Sequence, residues 1–380
     1  MTSQTSSPQT QAAPIASVMP PIVIIADDLT GACDSAAAFL CKAEAVRVLL
    51  DPARAQAGAA IVTAISTETR NQSAVDAAQR VECTRAKFRD IHGTEIIFKK
   101  IDSAGRGYLV VETMAALRAW GRTLALVAPA FPDAGRRVSN GVLGIRDSAG
   151  QDSSLNLMTM FQEECGDTVD LLPVGEVDEL ERGIRRALDR GIRVLLCDSE
   201  TQEDLVRLAG VASRIQQPLL WTGSAGLASA LAYQFPPARS TKPIDYSWTE
   251  GRTLLFVGTE HPLTALQVSH LQQSVGGVAS SIHRVQWNDS SAENVRSAFA
   301  ESSVSTLILT GGDTAAFVLK ALKAHAIRLA GELAPGIPWG FIEGGEAHGC
   351  AVVTKSGGFG QHDALTKVFQ FCSRRVCAPA

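Results

Sequence analysis

Two adjacent carboxylates, Asp27 and Asp28, stand between an apolar run at 22–25 and a stretch of small residues that begins Leu29-Thr30-Gly31-Ala32. Acids at the end of a buried strand and the start of a helix lie in the crevice where open α/β sheets bind ligands. There they can accept a proton from a hydroxyl or share a divalent cation. The plainer alternative is that one caps the helix and the other is solvated. A second group follows two further apolar runs: Arg70 in S-T-E-T-R, then Lys100, Asp102, Ser103 and Arg106 in K-K-I-D-S-A-G-R. The two arginines suit a two-pronged grip on a carboxylate, so the pattern points to a small anionic substrate. Lys99 and Lys100 are neighbours on a strand and face opposite ways, so at most one of them enters the site.

A third group is rich in glycine. Gly258-Thr259, Gly311-Gly312-Asp313-Thr314 and Ser356-Gly357-Gly358-Phe359-Gly360 each follow an apolar run. Glycine lets backbone N–H groups close on phosphate oxygens, and strand-turn-helix geometry adds a helix N-terminus. None of these turns matches the Walker or dinucleotide fingerprint, which argues against a Walker ATPase and a dehydrogenase. A carboxylate, a cluster of cations and phosphate-binding turns are what phosphoryl transfer requires, with Mg²⁺ to neutralise charge. Asp313 would reach that ion through water.

The elements that must position these groups alternate. Strands are expected at 22–25, 45–50, 59–65, 95–100, 123–129, 194–198 and the start of 219–230, with Asp51-Pro52 as a break. Helices are expected after Thr30 and at 73–92, 110–120 and 201–212. The segment 128–141, A-P-A-F-P-D-A-G-R-R-V-S-N-G, reads as a long irregular loop, a length more often functional than idle. Three prolines at 235–248 read as a linker, with a boundary near 245. A second unit restarts at 253–258 and carries strands at 306–310 and 349–354. The fold class is therefore α/β, two domains each with a largely parallel sheet and flanking helices, and the site in the cleft between them. The ranges are a disordered tail at 1–20, a first domain at 21–240 and a second at 250–375.

Composition excludes other classes. The chain has 380 residues, 46% of them hydrophobic, and a net charge of −4, so neither nucleic acid nor an anionic membrane is an expected partner. The eight cysteines have no zinc-site or disulfide-framework spacing. The first twenty residues contain no Lys or Arg, unlike a secretory signal or transit peptide, so the protein is read as cytoplasmic. A homodimer is the expected assembly.

A family resemblance joins these pieces. A-D-D-L-T-G-A at 26–32, K-K-I-D-S at 99–103 with Arg106-Gly107, A-P-A-F-P at 128–132, V-S-N-G-V-L, T-G-S-A-G-L-A, T-G-G-D-T, P-G-I-P-W and K-S-G-G-F-G occur in order from about Pro21 to Phe371. Together they resemble the four-carbon acid sugar kinases. The resemblance implies an N-terminal sugar-acid domain, a C-terminal nucleotide domain, and ATP-dependent phosphorylation of acids such as threonate, erythronate or 2-oxo-tetronate. It places Asp27, Asp28, Arg70, Lys100, Asp102, Ser103 and Arg106 at the acid, and Gly258, Thr259, Gly311, Gly312, Asp313, Thr314, Gly358 and Gly360 at ATP. Asp28 is the choice for general base, with Asp27 or Asp102 as metal or hydroxyl partner. The chain departs from the family pattern at Ala104-Gly105, at Tyr108, at Val257 to His261 and at Gln361-His362-Asp363. A binding or regulatory protein on the same scaffold is the alternative. Trp221, Trp248 and Trp339 read as packing residues, with Trp339 a candidate border of the adenine pocket.

Overall fold

The computed structural model describes residues 19–376 apart from 51–60, 89–94, 147–149, 239–246 and positions 286, 289 and 302. The expected tail through position 18, the Asp51-Pro52 break, the boundary near 245 and Cys377 lie outside the described residues.

The first half runs β1 (Ile22–Ala26), α1 (Leu29–Ala37), β2 (Ala45–Leu49), β3 (Ile61–Ser66), α2 (Ala74–Arg85), β4 (Ile96–Lys100), α3 (Leu109–Ala119) and β5 (Leu124–Ala128). It continues with β6 (Arg136–Ser139), β7 (Val142–Arg146), β8 (Asp152–Asn156), α4 (Leu157–Cys165), β9 (Val169–Leu172), α5 (Val177–Asp189), β10 (Val194–Cys197), α6 (Gln202–Ala212), β11 (Leu219–Gly223) and α7 (Ala225–Tyr233). The second half comprises β12 (Arg252–Val257), α8 (Pro262–Ser274), β13 (Ile282–Arg284), α9 (Ser291–Ala300), β14 (Val304–Thr310) and α10 (Gly312–Ala321). It ends with β15 (Ala326–Glu332), β16 (Pro338–Glu343), β17 (Ala351–Lys355) and α11 (Ala364–Val376).

The α/β class is as expected, but the two sheets are joined. Fourteen strands form one sheet in the order β13-β12-β14-β17-β16-β15-β2-β3-β1-β4-β11-β5-β10-β9. The seam is the antiparallel pair β15·β2, with Arg328 opposite Arg47, and Arg47 crosses it to hydrogen-bond the Glu343 carboxylate at 2.8 Å. Three antiparallel steps separate β2 from β17, so the parallel sets of the two halves run in opposite senses along the ladder. Residues that follow β1, β4, β12, β14 and β17 nevertheless line one cleft.

Central strands β1, β5 and β11 are buried at every position, as parallel strands covered on both faces must be. In the second half the two faces separate cleanly. Leu254, Phe256, Leu307 and Leu309 belong to the core continuous with the first half, while Leu255, Val257, Ile308 and Val353 form a second core with Val268 and Leu271 of α8 and Leu365 and Val368 of α11.

The expected loop at 128–141 is a correction. After a short turn at 132–134 it becomes β6, the first strand of a three-stranded antiparallel sheet with β7 and β8. These strands are largely exposed, and R-R-V-S and D-S-S-L-N lack apolar alternation. The legible signal was Asn140-Gly141, both at positive φ, 52° and 71°, closing a two-residue hairpin between Ser139 and Val142.

Candidate active site

Strands β1, β3 and β4 lie side by side with Ala26 opposite both Ser66 and Lys100, so Asp27-Asp28, the 67–70 segment and Asp102 leave the sheet at one level. Asp28 caps α1, accepting the Gly31 N–H at 2.9 Å and the Thr30 hydroxyl at 2.7 Å. Arg70 lies at the centre of the acids. Its Nε donates to Asp27 at 2.7 Å, its Nη1 to Asp28 at 3.0 Å, and its Nη2 stands 3.4 Å from Asp102. Asp102 also receives Arg106 through Nε at 3.0 Å and Nη2 at 2.7 Å, and the Ala104 N–H at 3.0 Å. Lys100 is buried beside Gly31, whereas Lys99 turns to the other face and pairs with buried Glu112 at 2.6 Å.

Three acids thus occupy three electrostatic settings. Burial pushes the Asp27 carboxyl above its ordinary value despite the Arg70 guanidinium. Burial acts on Asp28 in the same direction, but Arg70, Lys100 and the Thr30 hydroxyl together hold it below the usual range. Asp102 is buried too, and its hydrogen bonds from Arg106 with the charge of Arg70 hold it well below the usual range. Asp28 and Asp102 are therefore ionised at neutral pH. Asp27 does not line the cleft: it holds Arg70 from behind, and its Oδ1 is buried without a hydrogen-bond partner. Arg70 is committed to three protein carboxylates, whereas Arg106, anchored on Asp102 and with 60% of its side chain exposed, lines the cavity beside Arg136.

The glycine side is built from backbone. Gly311, at φ 99°, gives its N–H to the Lys355 carbonyl at 2.8 Å and opens α10. In the turn after β17 the carbonyls are tied inward. Lys355 Nζ donates to Ser356 O at 2.7 Å and Gly357 O at 3.4 Å. Thr264 Oγ1 donates to Gly357 O at 2.9 Å, and Gln267 Nε2 reaches Phe359 O at 3.1 Å and Gln361 O at 2.8 Å. With its carbonyls held on the protein side, the turn presents Gly357 and Gly358 to the opposite side, where they line the cleft. A glycine turn beside the N-terminus of a helix, here α10, is the kind of place that suits an anion.

The two sides face each other. A cleft of about 700 Å³ is lined by Asp28, Arg70, Ser103 and Arg106 on one wall and by Gly258, Thr259, Gly311 to Thr314, Gly357 and Gly358 on the other. They nearly touch at one point, where a β-carbon on Gly312 would stand 2.5 Å from Asp28 Oδ2. Asn71 bridges the walls by donating to Asp313 Oδ2 at 3.0 Å. Gly360 is not in this cleft: with Gly358 and Phe359 it lines a second cavity of about 570 Å³, floored by Leu333, Ile337 and Phe371. Trp339 borders neither cavity, because it packs with Trp248, Phe341 and Phe371.

Several residues went unsingled by sequence reasoning. Lys355, Thr264 and Gln267 shape the glycine turn from beneath, and Thr264 and Gln267 could have been found as polar residues one helical turn apart on the buried face of α8. Gly357 lines the cleft beside Gly358. Trp287, 55% exposed, lies at the cleft's outer end, where its Nε1 donates to Gly258 O at 3.4 Å. His261, which the sequence does place beside a glycine turn as a hydrogen-bonded residue, caps α8, its Nδ1 accepting the Leu263 N–H at 3.2 Å, which leaves the proton of the neutral ring on Nε2, the edge that faces Gly358.

A sugar-binding N-terminal domain model matches residues 22–231, and a nucleotide-binding C-terminal domain model matches residues 244–365. This chain belongs to the four-carbon acid sugar kinase family. It is 29% identical to a D-threonate kinase of Bordetella bronchiseptica, over 94% of this chain and 98% of that protein. It is 25% identical to a 3-oxo-tetronate kinase of Pectobacterium atrosepticum, over 90% and 97%. Among solved structures, one from Salmonella typhimurium LT2 superposes with a TM-score of 0.68 over 92% of this chain and 98% of its own, at 17% identity, which is a likeness of fold.

Proposed function

We propose that the chain is a kinase that transfers the γ-phosphoryl group of ATP to a hydroxyl of a small, four-carbon sugar acid such as a threonate or an oxo-tetronate. The observation that carries this reading is the meeting of Asp28 with the Gly311-Gly312 turn across one cleft. The full-length similarity to D-threonate and 3-oxo-tetronate kinases supports the substrate class.

In this reading the sugar acid lies against the first wall. Arg106 takes its carboxylate, Lys100 and Ser103 flank it, and Arg70 neutralises the acids around it. Asp28, ionised and hydrogen-bonded in place, accepts the proton of the attacking hydroxyl. Asp102 orients Arg106, and Asp27 positions Arg70. On the other wall Gly258, Thr259, Gly312, Thr314 and Gly358 seat the triphosphate at the first turn of α10, with Gly311, its N–H held by the Lys355 carbonyl, allowing the close approach.

Among the described residues no three His, Cys, Asp or Glu side chains gather closely enough to hold a metal by themselves. That suits Mg²⁺, which binds through one or two carboxylates together with substrate phosphates. Its donors here would be Asp313, through water, and the triphosphate, and when bound it supplies neutralisation of phosphate charge. The seven described cysteines are unpaired, which supports a reducing, cytoplasmic setting, and a homodimer is the assembly we propose. The reading is tested by measuring ADP release from ATP and Mg²⁺ against a panel of four- to six-carbon sugar acids. Stimulation by a tetronate is expected, and release indifferent to every acid would overturn the reading.

A further inference from the structure

Behind the main cleft lies a recess of about 30 Å³, lined by Asp28, Gly31, Asp34, Lys100, Gly336 and Phe359 among others. Gly336, Ser356 and Phe359 come from the second half of the chain and the rest from the first, so the recess exists only because the halves are joined. Its size suits two or so hydroxyls or waters, since a single water needs roughly 10–15 Å³ measured this way.

Asp34 is the unexplained group in it. It stands on α1 three residues after Gly31 and four after Thr30, on the helix face that also carries Asp28's hydrogen-bond donors. The other acids nearby are satisfied: Asp28 by Thr30, Gly31 and Arg70, Asp102 by Arg106 and Ala104, and Glu332 by the Gly336 N–H at 2.9 Å. Among the described residues, no donor hydrogen-bonds Asp34 and no cation stands within ion-pair distance of it. Burial pushes its carboxyl up to about 7, against the pull of Lys100. A half-buried carboxyl that lines a recess without a protein donor is placed to accept a hydrogen bond from a ligand there.

We infer that Asp34 accepts a hydrogen bond from a hydroxyl of the bound sugar acid that is not the one phosphorylated, and so selects hydroxylated acids over their deoxy analogues. This rests on the proposal that the acid lies beside Asp28 and Lys100. A carboxylate is the right group for the task because it takes a neutral hydroxyl donor and leaves the substrate's own carboxylate to Arg106. A site built to bond a hydroxyl discriminates strongly against an analogue that lacks it, because the protein group is then left unpaired.

The experiment compares the full chain with Asp34→Ala and the isosteric Asp34→Asn, using ATP, Mg²⁺ and three acids: a tetronate and its 2-deoxy and 3-deoxy forms. In the parent, kcat/KM for one deoxy acid should fall at least about thirtyfold below the tetronate. In Asp34→Ala that ratio should collapse to within about threefold, through loss on the tetronate, while KM for ATP and the rate on the deoxy acid are kept. Asp34→Asn, which retains an acceptor oxygen, should lie between. Equal losses on all three acids in both variants, or an unchanged discrimination ratio, would overturn the inference. Failure of the parent to phosphorylate any acid would overturn the underlying kinase proposal and this inference with it, and that result is distinct because it appears before any substitution is made.

Discussion

The two walls of the cleft solve one problem, holding an anion, by different means. The first wall is a lattice of charged side chains in which Arg70 is shared by three carboxylates and Arg106 is anchored by Asp102. The second is built mainly from backbone: glycines line it, Lys355, Thr264 and Gln267 hold the carbonyls of the turn away, and the charged side chains it brings to the cleft, Glu260 and Asp313, are both acids. Side chains can read the shape of a small acid, one group at a time. Backbone amides take any phosphate and need close approach, which a β-carbon would prevent. The difference teaches that substitutions on the first wall should alter which acid is used, and those on the second how tightly the nucleotide sits.

The largest expected effect is where the walls meet. Gly312→Ala places a β-carbon 2.5 Å from Asp28 Oδ2 and 3.2 Å from Thr30 Oγ1, forcing the walls apart. A displacement of that order should lower kcat about 100-fold and, as overpacking, lower thermal stability by a lesser amount, measured by steady-state kinetics and calorimetry. Next, Arg106→Gln removes a charged grip on the substrate carboxylate and should raise KM for the acid about 10- to 100-fold while KM for ATP stays put. Equal rises in both constants would erase the division of labour between the walls.

Lys355→Met sharpens the other side. Leaving the Ser356 and Gly357 carbonyls without their lysine donor should weaken ADP binding about tenfold by titration calorimetry, with KM for the acid unchanged. The same residue predicts a pH effect. Burial lowers the Lys355 ammonium to about 7, whereas the unfolded chain keeps a lysine near its ordinary value, so between those limits the unfolded state binds more protons. The penalty is full below about pH 7 and is relieved as pH rises toward about 10. Parent stability should therefore climb over that interval relative to Lys355→Met in denaturant melts. The smallest effect is expected for His261→Asn, which keeps an acceptor for the Leu263 N–H but cannot reach Gly358. ADP affinity should drop about threefold, and no change would remove His261 from the nucleotide wall.

Much of this was legible in the residues, for identifiable reasons. The strands ending at Ala26, Lys100, Thr310 and Lys355 are apolar runs followed by polar or glycine turns, so the groups at their carboxyl ends could be picked out before any geometry was known. The opposite facing of Lys99 and Lys100 follows from strand alternation alone. What the pattern could not carry was relation between segments. Joining the sheets through β15 and β2 depends on pairing across nearly the whole chain, and β15 and β16 are an antiparallel hairpin inside an otherwise parallel rhythm. That Asp27 stands behind Arg70 while Asp28 faces the cleft turns on which way two consecutive residues point as the strand ends. The role of Gln267 depends on a loop more than ninety positions away.

The central claim is that Asp28 and the glycine turn opposite it pass a phosphoryl group between ATP and a sugar acid. It is tested most directly by following label from [γ-³²P]ATP into a tetronate with the parent and with Asp28→Asn, alongside calorimetric titration of each with ADP. The account predicts labelled acid from the parent, a loss of about 10²- to 10⁴-fold in the variant, and closely similar ADP affinities for the two. Full transfer by Asp28→Asn, or a parent that binds ADP and the acid yet moves no label, would contradict it.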